Sequence, residues 1–199
     1  MTEAEQSGLQ AFLEEMDMPA TLANMAAARE FFSDSIKKYD LWQEEDSQEV
    51  LEHFDDPEAL EQTYEKIEEK QADSIEKERQ SDDITYDRVV TLARMAGNVS
   101  FYASVRRSQV YDVPVFTEQG ITSCRVTLRS GETEKGSVEI HMQSEVLGTV
   151  DATFRVNGKR IKGLVTAQKE EALTSCQQLL DKFEKDLQEY GFTVDGESL

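Results

Sequence analysis

The residues GSVEIHMQSEVLGTVDATFRVNGKRIKGLVTA, 136–167, decide how this chain folds. Val138, Ile140 and Met142 alternate with Glu139, His141 and Gln143, the two-residue period of a strand with one buried face. After Leu147-Gly148, Val150, Ala152, Phe154 and Val156 repeat the pattern against Asp151, Thr153 and Arg155. Asn157-Gly158 is a strong hairpin signal, because both residues tolerate the positive φ of a tight turn. Ile161, Gly163 and Val165 then alternate with Lys162 and Leu164 in a further strand. From Lys169 the period changes. Leu173, Cys176, Leu180, Phe183, Leu187 and Tyr190 recur at three- and four-residue spacing, and Gly191 is placed to end that helix.

Two more strands precede this stretch. Tyr111, Val113 and Val115 alternate, and Pro114 confines their strand to a sheet edge or a terminal position, since it cannot donate to a ladder. Ile121, Ser123, Arg125 and Thr127 lie opposite Cys124, Val126 and Leu128, with Gly120 before them and Ser130-Gly131 after. An antiparallel β-meander with the amphipathic helix across one face satisfies all these patterns.

The N-terminal part reads as helical. Leu9, Phe12, Leu13 and Met16 share a helix face that stops at Asp17-Met18-Pro19. Thr21 caps a second helix, with Leu22, Met25, the Arg29 stem, Phe32 and Ile36 expected as its buried stripe. The two stripes are expected to pack as a helical hairpin plugged by Tyr39, Leu41 and Trp42, and Ser47 is the expected cap of a short helix carrying Val50, Leu51 and Phe54. Asp56-Pro57-Glu58 opens a long helix with Leu60, Tyr64, Ile67 and Ile75 on a narrow stripe. Residues 71–83 have little to bury and are expected to be a linker or a fraying helix end. Asp83 or Thr85 then caps a helix that is apolar on two sides from Val89 to Val105, a pattern expected of a helix sandwiched between other elements. The expected class is α+β: an acidic helical region, 1–82, followed by an α+β domain, 83–199, in which the meander packs against the C-terminal amphipathic helix.

Charge supports that division. Residues 1–88 hold 26 acidic and 8 basic side chains, and residues 89–199 hold 15 and 13. An acidic surface repels phosphate backbones and no basic stripe with interleaved aromatics occurs, so a nucleic-acid partner is not expected. Nor is membrane insertion, for want of an apolar run near the roughly 20 residues a spanning helix needs. The acidic start, without a basic and apolar leader, points to the cytoplasm.

Candidate chemistry is sparse. His53 and His141 have no His or Cys neighbours at metal-ligand spacing, and His53 with Asp55 and Asp56 lies where a helix cap is expected. Cys124 and Cys176 read as small buried thiols. Cys124 with His141 is the one nucleophile–base pair that can be constructed, and the alternation puts the two on opposite faces of the sheet. Phosphate-cradling glycine motifs are missing. The expectation is a protein without catalytic residues, metal or cofactor.

GSVEIHM, LGTVDATFRV and the leucine-rich helix ending in Gly191-Phe192 together resemble the C-terminal domain of flagellar hook-length control proteins of the FliK type. Leu128 matches the leucine that opens the motif, Gly136 its glycine, and Val138 and Ile140 its apolar pair. Leu179, Leu180, Leu187, Gly191 and Phe192 match the helix and its end. Ser130 stands where the family has proline and Lys135 where it has leucine, and the connection 129–135 is about two residues longer. The segment MPATLANMAAAREFF, 18–32, is similar to a helical element upstream of such domains in one branch of the family. The resemblance implies a non-enzymatic module that contacts the cytoplasmic domain of the flagellar export-gate protein and switches export substrate specificity, with export through the flagellar type III apparatus. The binding surface expected on this basis is the sheet face and edge at residues 136–142 with the loop 145–148, carried by Leu128, Gly136, Val138, Ile140, Leu147 and Gly148. The other reading is an acidic scaffold whose helices hold a basic partner.

Overall fold

The computed structural model describes residues 2–33, 35–81, 84–118, 120–131, 133–144 and 147–198. They form two compact units, Met1–Ser108 and Gln109–Leu199. The class is α+β, as the sequence patterns require.

The first unit is helical: α1 (Glu3–Glu15), α2 (Leu22–Phe31), α3 (Glu44–Glu52), α4 (Pro57–Arg79) and α5 (Tyr86–Arg106), with a short 3-10 turn at Ile36–Tyr39. Several ends follow from local chemistry. Thr2 and Glu5 form a capping box on α1, and the Thr21 hydroxyl accepts from the Asn24 N–H at the start of α2. The Asp56 carboxylate accepts from the N–H groups of Glu58 and Ala59, and Pro57 occupies the first position of α4.

Other N-terminal expectations change. The buried stripe of α2 is Ala27, Ala28 and Phe31, whereas Leu22, Phe32 and Ile36 are exposed. Phe31 wins the inward position because it is surrounded by Phe12, Phe32, Phe101 and Tyr102 rings at 5.3–6.3 Å. Ser47 lies inside α3, whose N-cap is Gln43. Asp46 accepts from the Gln43 N–H at 2.8 Å and from Lys70 at 2.7 Å, which ties α3 to α4. Residues 71–79 are helix rather than linker, since Gln71 and Ile75 are buried and Ile75 packs with Leu92 and Met95. Thr85 caps α5 through its hydroxyl, and Asp83 lies outside the described residues. The expected boundary at 82/83 therefore falls inside the helical unit: α5 packs on α2 and α4, and Arg88 is ion-paired with Glu78. No helix among the described residues is long and apolar enough to cross a membrane.

The second unit is one sheet, in the order β1 (Val110–Thr117), β2 (Gly120–Ser130), β3 (Lys135–Ser144), β4 (Gly148–Asn157), β5 (Arg160–Ala167) and β6 (Thr193–Ser198), with α6 (Glu170–Glu189) between the last two. β1 to β5 are antiparallel neighbours, and Pro114 sits on the edge strand β1 as its missing N–H requires. In the β4–β5 hairpin Asn157 pairs with Arg160, and of the Asn-Gly pair only Gly158 takes a positive φ, 58°. β6 departs from the meander. It is parallel to β5, because α6 carries the chain back to the starting end of β5. α6 ends in a Schellman motif: Gly191 has φ 80°, its N–H donates to Gln188, and the Phe192 N–H donates to the Leu187 carbonyl.

Candidate partner-binding face

Cross-strand registers sort the sheet into two faces. Leu128 pairs with Val138, which pairs with Phe154; Val126 pairs with Ile140, which pairs with Ala152; Cys124 pairs with Met142, which pairs with Val150. Paired residues project to the same side, so these nine form one continuous apolar surface. Arg125, His141 and Asp151 pair in the same way on the other face.

α6 covers only part of the apolar face. It packs on β5 and β6, and its Ala172 and Leu180 enter a core with Val150 and Val165, flanked by Met142, Leu147, Ala152, Phe154 and Cys176. Phe154 reaches α6 through an edge-to-face contact with Phe183 at 5.5 Å. Gly163 permits that pose, since a Cβ there would lie 2.9 Å from the Phe154 ring. Leu128, Val138 and Ile140 lie beyond this core on the same face and are half-buried. On α6 Leu179 is 66% exposed, and Tyr190 at its C-cap is 75% exposed, so apolar side chains of this helix also face water.

The six residues expected at the site thus divide. Leu128, Gly136, Val138 and Ile140 come together on β2 and β3, with Gly136 opposite Ser130. Leu147 instead packs against the core under α6, and Gly148 is buried at the start of β4 with φ 72°. Glu145 and Val146 of the expected loop lie outside the described residues. The strand edge expected at 136–142 does not exist: β3 is paired on both sides, and the free edges of the sheet belong to β1 and β6. Leu179 and Tyr190 are further exposed apolar side chains, on α6 and at its C-cap. The signal for Leu179 was in the sequence, because adjacent Leu179 and Leu180 point about 100° apart on a helix and cannot both meet one sheet, whereas Tyr190 continues the stripe of Leu180 and Leu187 and is nonetheless exposed.

The polar face holds the other titratable groups of interest. His141 Nδ1 lies 2.6 Å from the Asp151 carboxylate, at the surface. Cys124 is on the opposite face, and burial, with a smaller push from Asp112, raises its thiol to about 11. A thiol so raised and separated from His141 by the sheet is no activated nucleophile. In the helical unit, Asp56 spends its carboxylate on capping α4, and His53 is the C-cap of α3. Among the described residues no three His, Cys, Asp or Glu side chains are placed to hold a metal ion.

No family model, curated protein or solved structure matches this chain.

Proposed function

We propose that residues 109–199 are a protein-recognition module of the hook-length-control kind, which contacts the cytoplasmic domain of the flagellar export-gate protein and switches the class of substrate exported. One observation carries the reading. Leu128, Val138 and Ile140, the residues through which the sequence resembles that family, share one half-buried apolar face beyond the core under α6. On α6, Leu179 and Tyr190 add exposed apolar surface of the kind that marks recognition sites. With β3 internal, the partner docks on side chains of the face rather than adding a strand at residues 136–142.

The test is a pull-down and a titration calorimetry measurement with the purified cytoplasmic domain of the export-gate protein. Full chain binds, and Leu179→Glu and Tyr190→Glu, both at exposed positions, weaken binding at least about tenfold without loss of fold. Absence of binding by the unaltered chain, together with unchanged hook length when the protein is deleted, would refute the proposal.

A further inference from the structure

α5 carries apolar side chains on its outer as well as its inner surface. Its inner stripe, Leu92, Met95, Phe101 and Val105, is buried. A second stripe, Tyr86, Val90, Ala93, Gly97, Ser100 and Ser104, runs along the outside at alternating four- and three-residue spacing, the 3.5-residue repeat of a helix–helix seam. Tyr86 is 81% exposed and Val90 52%. The stripe is graded: bulky at its N-terminal end, small from Ala93 onward. The small half, with Ala23 and Ala26 of α2, lines an open groove.

Gly97 supplies an independent sign. A glycine inside a helix weakens it, and Gly97 is not among the glycines at positive φ. A Cβ at this position would meet nothing within 4 Å. The chain's own packing gives no reason for glycine there, whereas a helix laid into the groove would need the clearance.

We infer that the occupant is α5 of a second copy of this chain, packed antiparallel about a two-fold axis. That orientation sets bulky against small: Tyr86 of one copy lies opposite Gly97 of the other, and Val90 opposite Ala93, each contact occurring twice, while Ser100 and Ser104 fall beyond the start of the other copy's α5. Asp87 and Arg94, seven residues apart, fall on one flank of the stripe, so the same register sets each Asp87 beside the other copy's Arg94. Arg94 also has Glu30 at 3.6 Å, and its side chain is half exposed. Electrostatics selects this face as well. Of the 26 acidic residues in 1–108, α2 and α5 carry only Glu30 and Asp87, so within the acidic helical unit these two helices meet a second copy with less repulsion than α1, α3 or α4 would.

Sedimentation velocity on the full chain, from about 1 to about 200 µM, reads the association directly. The unaltered protein moves toward a species of twice 22.6 kDa as concentration rises. Gly97→Leu, which has open space in the single chain, and Val90→Glu weaken dimerisation at least about tenfold with unchanged helical circular dichroism. Asp87→Arg weakens it, and Asp87→Arg with Arg94→Asp restores it. A chain monomeric over the whole range, as it would be if the groove takes a different protein's helix, overturns the inference. So does a dimer that survives Gly97→Leu and Val90→Glu, or a double swap that fails to restore association.

Discussion

Arg106 is the side chain whose removal tests the helical unit most sharply. It closes α5 with a side chain only 5% exposed, donates to Glu68 at 2.9 Å and to Glu61 at 3.4 Å, and lies 4.8 Å above the Tyr64 ring. Arg106→Met keeps the volume and removes the charge. Breaking a buried pair by removing one partner costs about 3–5 kcal/mol, chiefly because the other charge is left desolvated. Glu68 is 26% exposed and Glu61 47%, so water relieves part of that and the expected loss is about 3 kcal/mol at pH 7.5, cation–π contact included. The loss depends on pH. Burial is the largest influence on Glu68 and, despite the attraction of Arg106, raises its folded pKa above the unfolded value. Glu68 thus favours the folded state below its unfolded pKa, and that contribution disappears as pH rises through the folded one. Without Arg106 the folded pKa rises further, so the penalty deepens and completes at higher pH. Urea unfolding followed at 222 nm should show a small deficit near pH 4 and the full deficit at pH 7.5, with Glu68→Gln in the Arg106→Met background recovering at least about 1 kcal/mol. A deficit equal at both pH values, or below about 1 kcal/mol at pH 7.5, would refute the argument that a desolvated carboxylate is what Arg106 offsets.

Three further outcomes follow from local geometry. Gly148→Ala forces a Cβ onto a backbone at φ 72°, 2.7 Å from the Gln168 side-chain oxygen, and lowers stability by about 1–2 kcal/mol in urea unfolding. Asp56→Ala leaves the Glu58 and Ala59 N–H groups without their cap and costs about 1 kcal/mol, readable as a lower thermal midpoint. With its thiol raised to about 11, Cys124 is thiolate in about one molecule per thousand at pH 8, so iodoacetamide labels it only after denaturant is added, as peptide mass mapping will show.

The second unit was largely legible because its information is local. Alternation fixes which side chains share a face, and the registers through Val126–Ile140–Ala152 and Cys124–Met142–Val150 keep the sets that the alternation separates. Pro114 at an edge and Gly191 at a helix end were likewise readable from backbone chemistry. Direction was not. Nothing in the short segment after Gly191 states its partner, and β6 is parallel only because α6 intervenes. That β3 is internal was also beyond periodicity, which describes a strand and not its neighbours. On α2 the misreading was one of phase: Phe31 and Phe32 are adjacent and equally apolar, and only the rings of Phe12, Phe101 and Tyr102 decide which turns inward.

The position of the unit boundary shows why the polar stretch 71–83 and the change in charge misplaced it. The acidic run ends at Asp87, but the helical unit ends at Ser108. Charge density records which surfaces meet water, and the acids of α4 and the apolar stripes of α5 belong to the same packed pair of helices. Ile75 at the end of the acidic stretch and Leu92 at the start of the apolar one share a core, so the change in composition falls within an interface instead of between domains. Counted at Ser108, the helical unit carries 26 acidic and 11 basic side chains and the sheet unit 15 and 10. The helical unit remains the strongly acidic one, and α5 gives it a surface where that acidity is relieved. A helix apolar on two sides needs two neighbours, and α5 finds its inner ones within the chain and leaves its outer stripe in water. The same physical fact that hid the boundary in the sequence, an apolar helix following an acidic one, is what leaves the groove beside Gly97 open for a second chain.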